Sequence, residues 1–237
     1  MSRRLATISC LSALLLGHPR PLPATCHDDP SKLQRDFKEK LLSAKTVRIK
    51  FKILIKRELD FQYEGLLLTV KDANKVLYRI TDPKGKWPER KLVSNGRQVK
   101  SKGFEGGGGW HAEKMRDSLD REVLSGFARL GWDCALNGPA VARLGWDDAR
   151  KISLTDFRDA GMEKIGDRTT QTIDFKYRYT EINKNWPIAR WWFDTATRQP
   201  VKLTYKTGGE LPEAVTEVYE SIEWDPPLPD KEFELPD

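Results

Sequence analysis

The most informative part of the chain is its last fifty residues, 188–237, with the sequence IARWWFDTATRQPVKLTYKTGGELPEAVTEVYESIEWDPPLPDKEFELPD. Residues 188–194, 201–206 and 215–224 are three short runs rich in aromatic and β-branched residues, a composition typical of strands. Turn-forming residues separate the three runs, which therefore predict three consecutive antiparallel strands. The inward-facing positions are mostly aromatic and contain no nucleophile, metal ligand or phosphate-binding loop. The pattern favours binding through an apolar surface over chemistry.

The clearest earlier strand is residues 47–56, VRIKFKILIK. Its apolar residues occupy every second position and Lys or Arg fills most of the others, so one face is buried and the other is basic. An apolar stripe along residues 32–43 predicts a helix before it. Strands are also predicted at 63–71 and 76–81, and Asn95-Gly96 is a strong hairpin signal for the short strands around it.

A four-glycine run and a helical pattern occupy the middle of the chain. Residues 106–109 are all glycine, and residues 112–130 predict a helix with a single apolar stripe. We expect this helix to lie across the open side of the sheet as a lid, with the glycines as its hinge. The predicted lid residues are Met115, Leu119, Val123 and Phe127.

Strands are predicted again after the turn at residues 137–139, at 152–157, 161–165 and 170–180. The order of elements is therefore a helix, four or five strands, helices, and five or six strands. An antiparallel meander of this size curls, and the helices must bury their apolar stripes against it. The predicted fold class is α+β, a strongly curved antiparallel sheet with helices across its concave side.

The first 24 residues have the pattern of an export signal. A short positive region at Ser2-Arg3-Arg4 precedes thirteen uncharged residues, 5–17, which are too few to span a bilayer comfortably. Three prolines follow, and Ala24 is a suitable residue before a cleavage site. The alternatives are an uncleaved anchor and a misassigned start. No later segment is long and apolar enough to cross a membrane.

The cysteines leave three possibilities open. Cys10 belongs to the predicted signal, whereas Cys26 and Cys134 would remain after cleavage. In an oxidising compartment these two could form one disulfide. Residues 23–26 also loosely match the pattern at which a lipid is attached to Cys26. In the third alternative both are free thiols.

The composition excludes several functional classes. The chain has 41 basic and 35 acidic residues; three basic residues lie in the predicted signal, which leaves 38 − 35 = +3. That charge is small and evenly spread, so nucleic acid is not a predicted partner. Neither His27 nor His111 has zinc-ligand spacing, the glycine run lacks the Lys-Ser/Thr of a phosphate loop, and no Gly-x-Ser-x-Gly is present. The sequence predicts no enzyme, no metal site and no cofactor.

Four stretches resemble the LolA/LolB superfamily of periplasmic lipoprotein-sorting factors. They are residues 33–55, 92–99, 163–175, and 191–203 together with the closing 227–233. The resemblance implies a half-open β-barrel with a helical lid, formed by residues 25–237 as a single domain. It also implies that the apolar interior carries acyl chains. Because relatives include envelope sensors, the resemblance does not fix the cargo.

The sequence therefore predicts an exported, periplasmic binding or carrier protein for acyl chains or lipidated proteins, acting as a monomer. The predicted cavity residues are the inward-facing residues of four strands: Ile49, Phe51, Ile53, Ile173, Phe175, Tyr177, Trp191, Phe193, Leu203 and Tyr205. The alternative is an envelope sensor or interaction module with a packed interior, which would bind a protein partner at the basic outer face of residues 48–56. A period of two cannot distinguish a lined cavity from a filled core.

Overall fold

The computed structural model describes residues 28–56, 60–103, 109–113, 118–141, 152–179, 187–206 and 214–236. For residues 132–141 it describes the backbone alone. The predicted signal peptide, Cys26, the first three glycines of the run and Met115 lie outside the described residues, as does the side chain of Cys134.

The described residues form two helices, eleven strands and a short 3-10 helix. In chain order these are α1 Pro30–Ser43, β1 Thr46–Lys56, β2 Phe61–Val70, β3 Lys75–Thr81, β4 Arg90–Asn95, β5 Val99–Lys102, β6 Trp110–Glu113, α2 Leu119–Val141, β7 Ile152–Ile165, β8 Arg168–Tyr179, β9 Ile188–Asp194, β10 Pro200–Lys206, β11 Ala214–Trp224 and the 3-10 helix Asp230–Phe233.

All eleven strands belong to one antiparallel sheet in the order β6-β5-β4-β3-β2-β1-β11-β10-β9-β8-β7. Two meanders, β1–β6 and β7–β11, meet where β1 pairs with β11. Within the described residues β6 and β7 are the two edges, so the sheet is not closed. It is a strongly curved half-open barrel with helices against one face, as predicted.

Helix α1 begins at a proline and is capped by the residue before it. The Asp29 carboxylate accepts the backbone N–H of Ser31 at 3.0 Å, which satisfies one of the free donors of the first turn. The hydrogen bond from the Ser31 side chain lowers the pKa of Asp29. The stripe Leu33, Phe37 and Leu41 is buried against the sheet.

The start of the second helix differs from the prediction. Residues 110–113, whose last two positions the sequence pattern assigned to the helix, form an edge strand that pairs with β5. The helix begins at Leu119, where the Asp120 N–H donates to Asn74 Oδ1 at 3.1 Å and fixes this end to the β2–β3 turn. Residues 110–113 therefore separate the glycine run from the helix, whose start was predicted too early. The first three glycines lie outside the described residues, and their role as a hinge stays a prediction.

The end of the second helix also differs. Residues 137–139 do not break the chain; α2 continues to Val141. The interruption lies earlier, at Leu130 and Gly131, whose backbone angles are not helical.

Residues 152–157 and 161–165 form one long strand, β7, where two were predicted. Its register against β8 shifts between Thr155 and Arg158 and again between Asp159 and Gly161. These bulges interrupt the alternation, which is why the sequence pattern appeared to end and restart.

The C-terminal segment covers the face of the sheet opposite the helices. Phe233 is buried against Leu68, Leu77 and Val93, which come from three adjacent strands. An ion pair of 2.7 Å between Lys75 Nζ and an Asp230 oxygen lies beside this cluster. At this end of the sheet both faces are therefore covered.

Candidate functional site

The ten predicted cavity residues lie in one cluster with the buried side chains of α1 and α2. All ten are 0–3% exposed. The periodicity of the sequence therefore predicted correctly that these ten side chains share one face of the sheet and are buried. Their contact with a ligand stays a prediction.

Phe51 is the centre of the wall beneath α2. Its ring lies 5.6 Å from that of Phe127 on the helix and 6.3 Å from that of Tyr219 on β11, measured between centroids. On the other side it covers Gly65 of β2, which stands opposite Phe51 in the register. The interior at this point is filled by an aromatic side chain of the helix.

A second aromatic group lies beneath α1. Phe37 makes edge-to-face contacts with Trp191, Phe193 and Trp224, at centroid distances of 6.0, 6.1 and 6.3 Å. Trp191 also stacks on Tyr219 at 5.7 Å. The Trp191 indole N–H is buried and finds no acceptor among the described residues. A polar donor is therefore present in an otherwise apolar wall.

The described lid residues are buried in the same cluster. Leu119, Val123 and Phe127 are 2%, 1% and 0% exposed. The stripe predicted from their spacing therefore faces the sheet.

The sequence analysis missed a charged residue in this wall. Glu217 is fully buried, and the Tyr219 hydroxyl donates to its Oε2 at 2.8 Å. Both side chains come from β11 and lie two positions apart. The alternation of Val215, Glu217 and Tyr219 could have revealed an inward-facing carboxylate, because all three share one face of the strand.

An open cavity of about 400 Å³ lies beside the beginning of α1. Its wall includes apolar side chains that reach the interior, Leu33 and Phe193, and polar ones such as Gln171 and Arg198. The Arg198 guanidinium lies 3.1 Å from an oxygen of Asp28 and 3.3 Å from one of Asp36, so its charge is balanced within the protein.

The two consecutive tryptophans of β9 face opposite sides of the sheet. Trp191 belongs to the interior, as predicted, whereas Trp192 lies beneath Lys202, whose Nζ is 4.4 Å from the ring centroid. The Trp192 indole donates to Glu163 at 2.8 Å. Next to it, hydrogen bonding to Asp174 raises the pKa of Arg190. Charged neighbours therefore cover Trp192 on the outer face of the sheet, and its side chain does not contribute to the interior wall.

The predicted basic outer face of β1 is largely balanced by acidic residues of β11. Arg48 pairs with Glu223 at 3.0 Å and Lys52 with Glu220 at 2.7 Å. The hydrogen bond to Glu220 raises the pKa of Lys52. These cross-strand pairs leave less free positive charge for a partner than the sequence of β1 alone suggests.

Within the part of the chain that the structure describes, no helix has both the length and the apolar character needed to cross a membrane.

Comparison with known proteins finds similarity in structure alone. No protein-family model and no curated protein matches the sequence. The Mycobacterium tuberculosis lipoprotein LppX is 12% identical and covers 85% of this chain and 99% of its own, with a TM-score of 0.44. LprF from Mycobacterium bovis is 11% identical to this chain, with a TM-score of 0.48. The match covers 84% of this chain and 94% of the LprF chain. A LolA superfamily protein from Nitrosomonas europaea is 9% identical to this chain, with a TM-score of 0.40. The match covers 88% of this chain and 99% of the Nitrosomonas chain.

Proposed function

We propose that this protein is an exported, periplasmic binding or carrier protein whose concave interior holds acyl chains or lipidated proteins. The observation that carries the proposal is the curved wall itself. Ten mostly apolar side chains from four strands line one face of the sheet. Helices α1 and α2 pack against this face. Such a face is a suitable surface for a flexible hydrocarbon chain.

The α2 stripe, formed by Leu119, Val123 and Phe127, occupies the interior in the absence of cargo. An acyl chain would take its place along Phe51 and Tyr219, both of which Phe127 now contacts. Exposing Leu119, Val123 and Phe127 costs about 1.5–3 kcal/mol each, or roughly 5–9 kcal/mol together. Burying hydrocarbon returns about 0.8 kcal/mol per methylene, so ten methylenes only balance that cost. The proposal therefore requires long chains.

Chain-length dependence provides the test. In a displacement assay with a fluorescent fatty acid, saturated fatty acids of sixteen carbons should compete at micromolar concentration, whereas those of eight carbons should not. Native mass spectrometry after mild purification should detect co-purified lipid. Absence of both displacement and co-purified lipid would contradict a carrier, and equal competition by both lengths would contradict exchange with the α2 stripe.

Export and the state of Cys26 belong to the same proposal. Cleavage after Ala24 would leave residues 25–237 as a single soluble domain, and lipid attachment at Cys26 would anchor it instead. Mass spectrometry of the mature N-terminus separates these outcomes: an unmodified start near Thr25 supports the soluble carrier, and a diacylglyceryl group on Cys26 supports the anchored form.

A second candidate is an interaction module with a permanently packed interior. Two exposed apolar side chains favour it: Trp87 is 51% exposed and Ile188 61% exposed. The Asp82 carboxylate accepts the backbone N–H groups of Lys86 and Trp87 at 2.9 and 3.1 Å, which holds this loop in a defined shape. Photo-crosslinking in cells from position 87 would recover a protein partner if this candidate is correct, whereas a carrier alone requires none there.

A further inference from the structure

Helix α2 is divided by a joint at two residues. Leu130 has φ −143° and ψ 41°, and Gly131 has φ 60° and ψ −140°. Residues 132–141 therefore begin a new helical segment. The first turn of any such segment carries N–H groups without partners inside its own helix, and together they form the positive end of the helix dipole.

A buried carboxylate lies at this joint. Both oxygens of Glu217 fall within 3.0 Å of the position that a Cβ on Gly131 would occupy. Glu217 is fully buried in a wall whose other side chains are mostly apolar or aromatic. A buried carboxylate is costly unless hydrogen-bond donors surround it, and the Tyr219 hydroxyl is one such donor. The start of the second helical segment is the adjacent source of further donors.

We propose that Glu217 caps the second segment of α2 from the sheet and thereby positions residues 132–141 over the concave wall. Gly131, the residue before this segment, has no side chain that could cap it. Glycine is required there for two independent reasons: the positive φ, and the space taken by the carboxylate. Glu217 is in this role a positioning residue, and the effect on cargo uptake rests on the proposed function.

Amide hydrogen exchange of the full mature chain without cargo tests the cap directly. Glu217→Gln keeps the size of the side chain but removes its charge, and loss of a charged hydrogen bond should speed exchange in residues 132–141 by about tenfold or more. Residues 119–129, which are anchored separately at Asn74, should change by less than about threefold. Glu220→Gln, on the exposed side of the same strand, is the matched control and should leave both segments unchanged.

A second variant changes the same contact from the helix side, so the test does not depend on the folding of Glu217→Gln alone. Gly131→Ala should accelerate exchange in the same segment, because its Cβ would displace the carboxylate. Unchanged exchange in 132–141 in both variants, or equal acceleration of 119–129 and 132–141, would overturn the proposal.

Cargo uptake is measured separately. If the carrier proposal is correct, Glu217→Gln should take up a fluorescent sixteen-carbon fatty acid faster than the wild-type protein. If the exchange results agree with the cap but the protein binds no fatty acid, the cap is supported and the carrier function is contradicted. The two failures are therefore distinguishable.

Discussion

The ring of Phe51 covers Gly65 on the neighbouring strand, directly opposite it in the register. A Cβ at position 65 would fall within 3.0 Å of three carbons of that ring. Glycine usually weakens a strand, but here it makes room for the aromatic side chain at the centre of the interior wall. The concave surface is therefore shaped by a missing side chain as well as by the ten apolar ones.

Gly65→Ala should destabilise the protein by about 1–3 kcal/mol, because the added methyl group overpacks a buried site. The free energy of unfolding in urea measures the effect. Gly109→Ala is the matched control, since a Cβ there meets nothing within 4 Å. Equal stability of the two variants would show that Phe51 relaxes without cost and that Gly65 does not shape the wall.

Removal of residues 226–237 should expose Leu68, Leu77 and Val93, which Phe233 now covers. Exposed apolar side chains on a sheet promote association, so we expect the truncated chain to unfold at lower temperature and to scatter light on heating. Asp230→Asn removes only an exposed ion pair with Lys75 and serves as the control. A soluble truncated chain with unchanged melting temperature would contradict a structural role for this segment.

Asp82 should make stability depend on pH below its ordinary pKa of 3.8. Hydrogen bonds from the backbone N–H groups of Lys84, Lys86 and Trp87 lower the pKa of this carboxyl in the folded protein. The ionised form is therefore the stabilising one: its contribution is present above pH 3.8 and is lost as the pH falls through the lowered value. The melting-temperature difference between wild type and Asp82→Asn should be constant from pH 7 to 5 and shrink below pH 3.8. A difference independent of pH would contradict this assignment.

Much of the fold could be predicted from the sequence because strands with one buried face tend to alternate apolar and polar residues. The period of two placed Phe51, Phe175 and Trp191 on the correct face, and the helical stripe placed Phe127 against them. Local patterns failed where pairing partners decide the structure. Residues 110–113 form a strand only because β5 provides the hydrogen bonds, and the sequence pattern assigned part of them to a helix.

The candidate site was harder to predict than the fold. Alternation gives the direction of a side chain but not what faces it, so the packing of Phe127 on Phe51 could not be derived from either segment. Glu217 was missed because a charged residue in a strand is normally taken to face solvent, and its neighbour Gly131 is 86 positions away in the chain. Only the folded structure brings these residues together.

If an acyl chain takes the place of the α2 stripe, two matched variants should differ in their affinity for it. Phe127→Ala and Phe233→Ala each remove a phenylalanine that is at most 1% exposed, at a cost of about 3–5 kcal/mol of stability. Phe127 faces the interior wall and Phe233 faces the opposite side of the sheet. The affinity for a fluorescent sixteen-carbon fatty acid should rise in Phe127→Ala, where the chain no longer has to displace a ring, and stay at the wild-type value in Phe233→Ala. Unchanged affinity in both variants, or no binding by any of the three proteins, would show that the interior is a packed core.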